Sequence, residues 1–192
     1  MTGVDRVYLA RHGQTALNAD GRLRGLSDPP LDAVGLAEVK RLADALAGYS
    51  PTVVITSPLQ RAVATAEAIG AAARTPVVVD KRLNDRDYGP WTGQPRAEVE
   101  QRFGDVDHAP GVEPAAAVAA RALAAWTELT SEHDDGPLVM VSKAGSRARS
   151  SAALNASWDT ITSGPSSCSL VSSVHAASAR AATAAAGSTP GA

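Results

Sequence analysis

Short runs of strand-forming residues alternate along this chain with segments of helical periodicity, and that alternation leaves few folds open. Residues 4–10 (VDRVYLA) are rich in Val, Tyr and Leu and read as a buried strand. Leu36, Val39, Leu42, Ala43 and Leu46 follow helical spacing, so they are expected in the core, and Gly48 stands where that helix should stop. Residues 52–56 (TVVIT) form a second strand candidate. Ser57 before Pro58 reads as an N-cap with a first-turn proline, opening a helix to about Ala73. A third strand is expected at residues 77–79, a short helix near 96–102, an Ala-rich helix over 115–132 and a fourth strand at 138–142 (LVMVS). The alternation predicts an α/β fold whose largely parallel sheet carries helices on both faces. In such sheets ligands bind beyond the carboxyl ends of the strands, so the residues that follow each strand carry the functional information.

Composition excludes several partners. Eighteen Lys and Arg against 20 Asp and Glu give a net charge of -2 over 192 residues, with an isoelectric point near 6.1. No broad positive field draws nucleic acid or an anionic membrane. The single cysteine, Cys168, cannot close an intrachain disulfide, and no apolar run reaches the length of a membrane span. The opening residues show no hydrophobic signal region, so a soluble cytoplasmic protein is expected; oligomeric state is not legible.

After the first strand come Arg11, His12 and Gly13, then Gln14, Thr15 and Asn18. After the second comes Ser57, with Arg61 in the first helical turn. Beyond the third lies Asp85 within LNDRDYGPWTG, and after the fourth stands Lys143. Topology alone thus brings two arginines, a histidine, a lysine and a carboxylate to one edge. Guanidinium groups bind phosphoryl oxygens in pairs and a helix N-terminus adds backbone donors, so the set suits a phosphate ester. His108, His133 and His175 have no metal-ligand spacing around them, and the chain lacks a dinucleotide fingerprint, a phosphate-binding P-loop and a G-x-S-x-G elbow. No metal and no cofactor are expected, which leaves His12 as a candidate for direct attack on phosphorus.

LARHGQTALN, SDPPLDAVGLAEV, SPLQRAVATAEAI, RLNDRDYGPWTG and PLVMVS occur in that order and together resemble the histidine phosphatase superfamily, also called phosphoglycerate-mutase-like. The resemblance implies a three-layer αβα sandwich and a metal-independent phosphomonoesterase acting on a small phosphorylated substrate, with inorganic phosphate as the second ligand. It implies that His12 takes the phosphoryl group as phosphohistidine. Arg11 and Arg61 would bind its oxygens, Asn18 would contact phosphate, and Asp85 would protonate the leaving oxygen. Gln14 and Thr15 would line the entrance, and Glu113 would match a further acidic position found in some members. Asp85 is one carbon shorter than the glutamate usual in the small phosphatases, and Asp87, two residues on, competes for its role. Tyr88 and Trp91 read as packing residues.

The chain departs from the family after the fourth strand, where Lys143 stands in place of a second histidine. Lysine keeps a positive charge and hydrogen-bond donors, but on a longer and more flexible stem. From 144 onward composition also breaks: 14 Ala and 12 Ser fall in 49 residues, against 25 Ala and 5 Ser in the preceding 143. Leu154, Trp158, Leu170 and Val171 persist there like landmarks in a domain end whose other large side chains have become Ala or Ser. The domain is accordingly set at residues 1–175, followed by an Ala/Ser/Gly-rich tail at 176–192. Two alternatives to the phosphatase stay open: a phosphoglycerate mutase, and a phospholigand-binding module that lost turnover through Lys143.

Overall fold

In the computed structural model the described residues are 6–142, together with the backbone of 158–162 and 170–174. The strands are β1 (Val7–Ala10), β2 (Val53–Thr56), β3 (Val77–Val79), β4 (Leu138–Val141), β5 (Trp158–Thr162) and β6 (Leu170–Val174). The helices are α1 (Ala16–Ala19), α2 (Ala33–Ala47), α3 (Gln60–Ala73), α4 (Arg96–Phe103) and α5 (Ala115–Glu132). One sheet runs in the order β3-β2-β4-β1-β6-β5. Strands β1 to β4 are mutually parallel, and β6 joins the far side of β1 antiparallel. The pair β5 and β6 falls within the compositionally altered stretch, where the sequence patterning marks no strand.

Every residue of β1, β2 and β4 is buried, because side chains that alternate between two faces meet a helical layer on each. One face sends Val7, Leu9, Val53, Ile55, Leu138 and Met140 against Trp126 and Leu129 of α5. The other sends Tyr8, Ala10, Val54, Val139 and Val141 against Leu42 and Leu46 of α2 and Ala62, Ala66 and Ile69 of α3. The fold is therefore the three-layer α/β sandwich that the alternation predicts. A third, smaller cluster packs Leu23, Tyr88, Val99, Val106 and Ala109, with Trp91 and Phe103 against it. It anchors the segment that carries Asp85.

Two local expectations are corrected. Leu36 is 60% exposed, whereas Glu38 on the same helix is buried. The inward stripe of α2 begins at Gly35 and Glu38; Glu38 accepts the Gln14 backbone N–H at 3.0 Å, which leaves Leu36 at the rim of the stripe. Ser57 does not cap α3, which starts three residues later with Leu59 at the cap position. The capping oxygen comes from across the loop, where Asp28 Oδ1 accepts the Gln60 N–H at 2.7 Å.

Candidate active site

Ala10, Val141 and Thr56 stand level across the three central strands, so the residues after them open on one edge. Arg11 and His12 follow β1 directly. Ser142 follows β4 and donates its hydroxyl to the Leu83 carbonyl at 2.9 Å; the next residue, Lys143, lies outside the described residues.

His12 is 2% exposed. Its Nδ1 lies 2.7 Å from the Gly13 carbonyl, an acceptor only, so Nδ1 carries the proton and Nε2 keeps its lone pair. Nε2 accepts a hydrogen bond from Arg61 Nε at 3.3 Å. Burial pushes the imidazole well below its ordinary range; the Gly13 carbonyl opposes this, and the charges of Arg24, Arg61 and Arg11 add to it. The result is a neutral ring with a fixed tautomer. Gly13 N–H is tied to Thr65 Oγ1 at 3.3 Å, and Thr65 in turn donates to the Arg61 carbonyl at 2.8 Å. The first two turns of α3 thus hold the β1 loop in register with Arg61.

Arg61 is wholly buried. Nη1 donates to the Ser27 carbonyl at 2.7 Å and Nη2 to the Gly25 carbonyl at 2.9 Å. Nη2 also lies 3.5 Å from Asp85 Oδ2. Burial works against its charge, and Asp85 and Asp28 work for it. An arginine at a helix N-terminus meets the positive end of the helix dipole, and these two carboxylates supply the compensation. Asp85 is 6% exposed; its Oδ1 accepts the Arg86 N–H at 2.8 Å. Asp87 is exposed and accepts the Gly89 N–H at 2.8 Å, closing a turn. Of the two competing aspartates, Asp85 is the one brought to Arg61, the residue that also reaches His12.

The other expected residues divide. Arg11 is half-buried, and its Nε makes no hydrogen bond among the described residues. Asn18 Oδ1 accepts from the Thr15 hydroxyl at 2.9 Å and from the Thr15 N–H at 3.2 Å. Thr15 is fully buried as the cap of α1, so it serves the loop from within instead of lining an entrance. Gln14 Nε2 donates to Asp32 Oδ2 at 3.2 Å, tying it to the N-terminus of α2. Glu113 is held by Arg121, with Nε to Oε1 at 2.9 Å and Nη2 to Oε2 at 3.1 Å, and its Oε2 accepts the Asp87 N–H at 3.0 Å. Arg121 holds it below the usual carboxylate range. With both oxygens so engaged, Glu113 braces the Asp85 segment and is not joined to His12 by any contact among the described residues. Arg121 completes that brace by donating to the carbonyls of Arg82, Asn84 and Asp85 at 2.7, 2.7 and 3.0 Å.

Sequence reasoning missed Arg24. It is 3% exposed, and its Nη2 lies 3.7 Å from Asp85 Oδ2. The available signal was Arg24 directly before Gly25 in GRLRGLSDPP. Gly25 has a φ of +54°, a conformation that favours glycine and turns the chain so that the Gly25 and Ser27 carbonyls face Arg61.

The loop geometry yields a stability prediction. A methyl group at Gly35 would overlap the backbone of Gln14. Gly35→Ala is expected to cost about 3 kcal/mol in urea denaturation and to weaken phosphate binding, because Gln14 directly follows the His12–Gly13 pair.

A neutral ring nitrogen whose lone pair is engaged only by the Arg61 Nε–H among the described residues, at the carboxyl edge of a parallel sheet, has the chemistry to accept a phosphoryl group once that hydrogen bond is exchanged. The chain belongs to the histidine phosphatase superfamily (branch 1), whose family model matches residues 7–183. It is 34% identical over 167 residues to glucosyl-3-phosphoglycerate phosphatase of Mycolicibacterium vanbaalenii, covering 79% of this chain and 74% of that one. It is 44% identical over 105 residues to the 2,3-bisphosphoglycerate-dependent phosphoglycerate mutase of Corynebacterium efficiens, covering 52% of this chain and only 42% of the mutase. Among solved structures, mycobacterial glucosyl-3-phosphoglycerate phosphatase in complex with VO3 matches with a TM-score of 0.70 at 30% identity, covering 79% of this chain and 81% of that one.

Proposed function

We propose that this chain is a metal-independent phosphomonoesterase that hydrolyses a small phosphorylated metabolite through a phosphohistidine on His12. The observation that carries the proposal is the His12 ring itself, with Nδ1 committed to the Gly13 carbonyl and Nε2 held 3.3 Å from Arg61 Nε. On substrate binding, the Arg61 Nε–H exchanges Nε2 for a phosphoryl oxygen. The Nε2 lone pair then forms the P–N bond as the ester P–O bond breaks, and the Asp85 carboxyl delivers a proton to the departing oxygen. Nδ1–H stays on the Gly13 carbonyl, which helps to carry the positive charge of the phosphorylated ring. In the second step water attacks phosphorus, Asp85 takes its proton, and the P–N electron pair returns to Nε2. Arg11, Arg61 and the Asn18 amide supply donors to the phosphoryl oxygens, so cationic side chains meet the charge without a metal ion. A relative solved in complex with VO3 supports a site in this fold that takes an oxyanion. Against mutase-type transfer, the chain between Gly93 and α5 is spent on α4 and a short 3-10 turn packed on Tyr88, leaving little chain for a lid.

The test is steady-state hydrolysis of an aryl phosphate in the presence of a chelator, followed by brief labelling with radioactive substrate. Turnover should survive chelation, and the label should be acid-labile, alkali-stable and missing from His12→Ala. Loss of turnover on chelation overturns the metal-free mechanism. Lys143 adds a quantitative expectation. A poorly placed donor to the transferring phosphoryl group typically costs about 10²–10³ in rate. Lys143→His is therefore expected to raise kcat at least about tenfold, with little change in phosphate affinity. Equal kcat values would show lysine to be an adequate replacement.

A further inference from the structure

Residues 84–88, which carry Asp85, form neither helix nor strand, and Asp85, Arg86 and Tyr88 among them are buried. Buried backbone groups need partners, and a segment with no ladder of its own takes them from elsewhere. Glu113, just before α5, and Arg121, in the second turn of α5, supply several. Glu113 donates its N–H to the Asp87 carbonyl at 2.8 Å, accepts the Asp87 N–H on Oε2 at 3.0 Å and receives Arg86 Nε on its carbonyl at 2.6 Å. Arg121 donates from Nη1 to the carbonyls of Arg82 and Asn84 and from Nη2 to that of Asp85. The intervening Leu83 carbonyl accepts the Ser142 hydroxyl.

A guanidinium carries five N–H donors in one plane, and Arg121 uses all five, one on each Glu113 oxygen and three on the carbonyls. Glu113 thus fixes the plane of the guanidinium, and the plane fixes the backbone beneath Asp85. The other end of this linkage is the core. Helix α5 sends Ala125, Trp126 and Leu129 into the cluster that also holds Leu83 and, from β1, Val7 and Leu9. His12 directly follows Arg11 at the end of that same strand. The strand of the nucleophile and the clamp on the acid are therefore set by one close-packed interior, which transmits displacements instead of absorbing them. We propose that Arg121 is a positioning residue for the acid step: its guanidinium, locked by Glu113, sets where the Asp85 carboxyl stands relative to a phosphoryl group at His12. The reading rests on the phosphomonoesterase function proposed above.

Arg82 provides the internal comparison. Its side chain donates to Asp80 and, across to α5, to Glu128. Removing it loosens the 3-10 turn at Lys81–Leu83 from α5 while leaving the Arg121 clamp its partners. A general loss of structure slows every substrate, whereas a displaced acid is felt only where the leaving oxygen needs a proton.

The experiment measures phosphohistidine formation by rapid quench in the full-length protein, from ethyl phosphate and from nitrophenyl phosphate, at a temperature where circular dichroism shows each variant folded. Arg121→Ala should lose at least about 30-fold on ethyl phosphate, because misplacing a catalytic group by about 1 Å can cost about 10², and under about 3-fold on nitrophenyl phosphate. Arg121→Lys keeps the charge but has too few donors for Glu113 and the carbonyls together, so it should show the same bias. In an Asp85→Asn background Arg121→Ala should remove less than about 3-fold more, since both changes act through one group. Arg82→Ala should keep the wild-type ratio of the two rates. Equal losses on both substrates, full additivity with Asp85→Asn, an equal bias in Arg82→Ala, or wild-type rates in Arg121→Lys would each overturn the proposal. If Arg121→Ala does not fold, Glu113→Gln carries the test. It keeps an oxygen for the Asp87 N–H but sets an amide against Arg121 Nε, and it should lose at least about 5-fold on ethyl phosphate alone; wild-type rates or an unbiased loss overturn the proposal. A protein without His12-dependent turnover overturns the parent function, and an unbiased Asp85→Asn overturns the acid role beneath this reading. A biased Asp85→Asn beside unbiased Arg121 variants overturns this inference alone.

Discussion

Replacing His12 with alanine should leave less than about 0.1% of wild-type kcat, since removing the nucleophile of a covalent route typically costs several orders of magnitude. Phosphate binding alone predicts a far smaller loss, whereas acid–base assistance can reach this size, so the covalent label separates that role from nucleophilic attack. A ring that merely bound phosphate would behave as one donor among several, and acid–base assistance alone is worth about 10²–10⁴. Stopped assays on aryl phosphate check the number, and the absence of acid-labile label in the variant checks the cause. The same ring makes a separate prediction about stability. His12 is held neutral in the fold by burial and by its arginine neighbours, whereas the unfolded chain protonates it near pH 6.5. Below that pH the unfolded state binds the extra proton, so stability falls by up to about 1.4 kcal/mol per pH unit until the folded ring titrates. Urea unfolding at pH 7 and pH 5 should show a loss about 1–2 kcal/mol larger in wild type than in His12→Gln. Parallel losses would mean that the ring is not held neutral in the fold.

How far the sequence reached depended on whether a residue's place is set by a strand end or by a contact across the fold. His12 and Arg61 follow strands that are buried on both faces, and the alternation of elements is enough to put them on one edge. Asp85 is legible from its place in RLNDRDYG, and of the two aspartates it is the one that meets Arg61, while Asp87 closes an exposed turn. Arg24 lies in a loop with no periodicity, and its burial depends on a left-handed Gly25 and on carbonyls committed to Arg61. Thr15 and Glu113, which the family resemblance gives to substrate, are held by capping geometry and by Arg121. The exchange of Leu36 for Glu38 has the same origin, because hydropathy cannot register a carboxylate buried to receive one backbone N–H. Lys143 and the 176–192 tail lie outside the described residues.

The strongest remaining prediction concerns leaving groups. Asp85 is held from three sides: Arg86 N–H on Oδ1 at 2.8 Å, Arg61 and Arg24 beside Oδ2, and Arg121 on its backbone carbonyl at 3.0 Å. So fixed, its carboxyl is held without freedom to reorganise, and the proposed acid role would use it in that position on the oxygen leaving phosphorus. If its work is to protonate that oxygen, the benefit scales with how badly the oxygen needs a proton. An alkoxide needs it most and a nitrophenolate hardly at all. Asp85→Asn should therefore slow hydrolysis of an alkyl phosphate by about 10³, within the range for general acid catalysis, while slowing formation of the phosphohistidine from nitrophenyl phosphate by less than about tenfold. Rapid-quench measurement of that first step is needed, because the later hydrolysis also uses Asp85 and would otherwise mask the contrast. Equal losses on the two substrates would reject the acid role and leave Asp85 as an electrostatic anchor for Arg61 and Arg24. If the selective loss instead follows Asp87→Asn, the reacting carboxyl is the one on the exposed turn, and the pocket must rearrange on binding to bring it in.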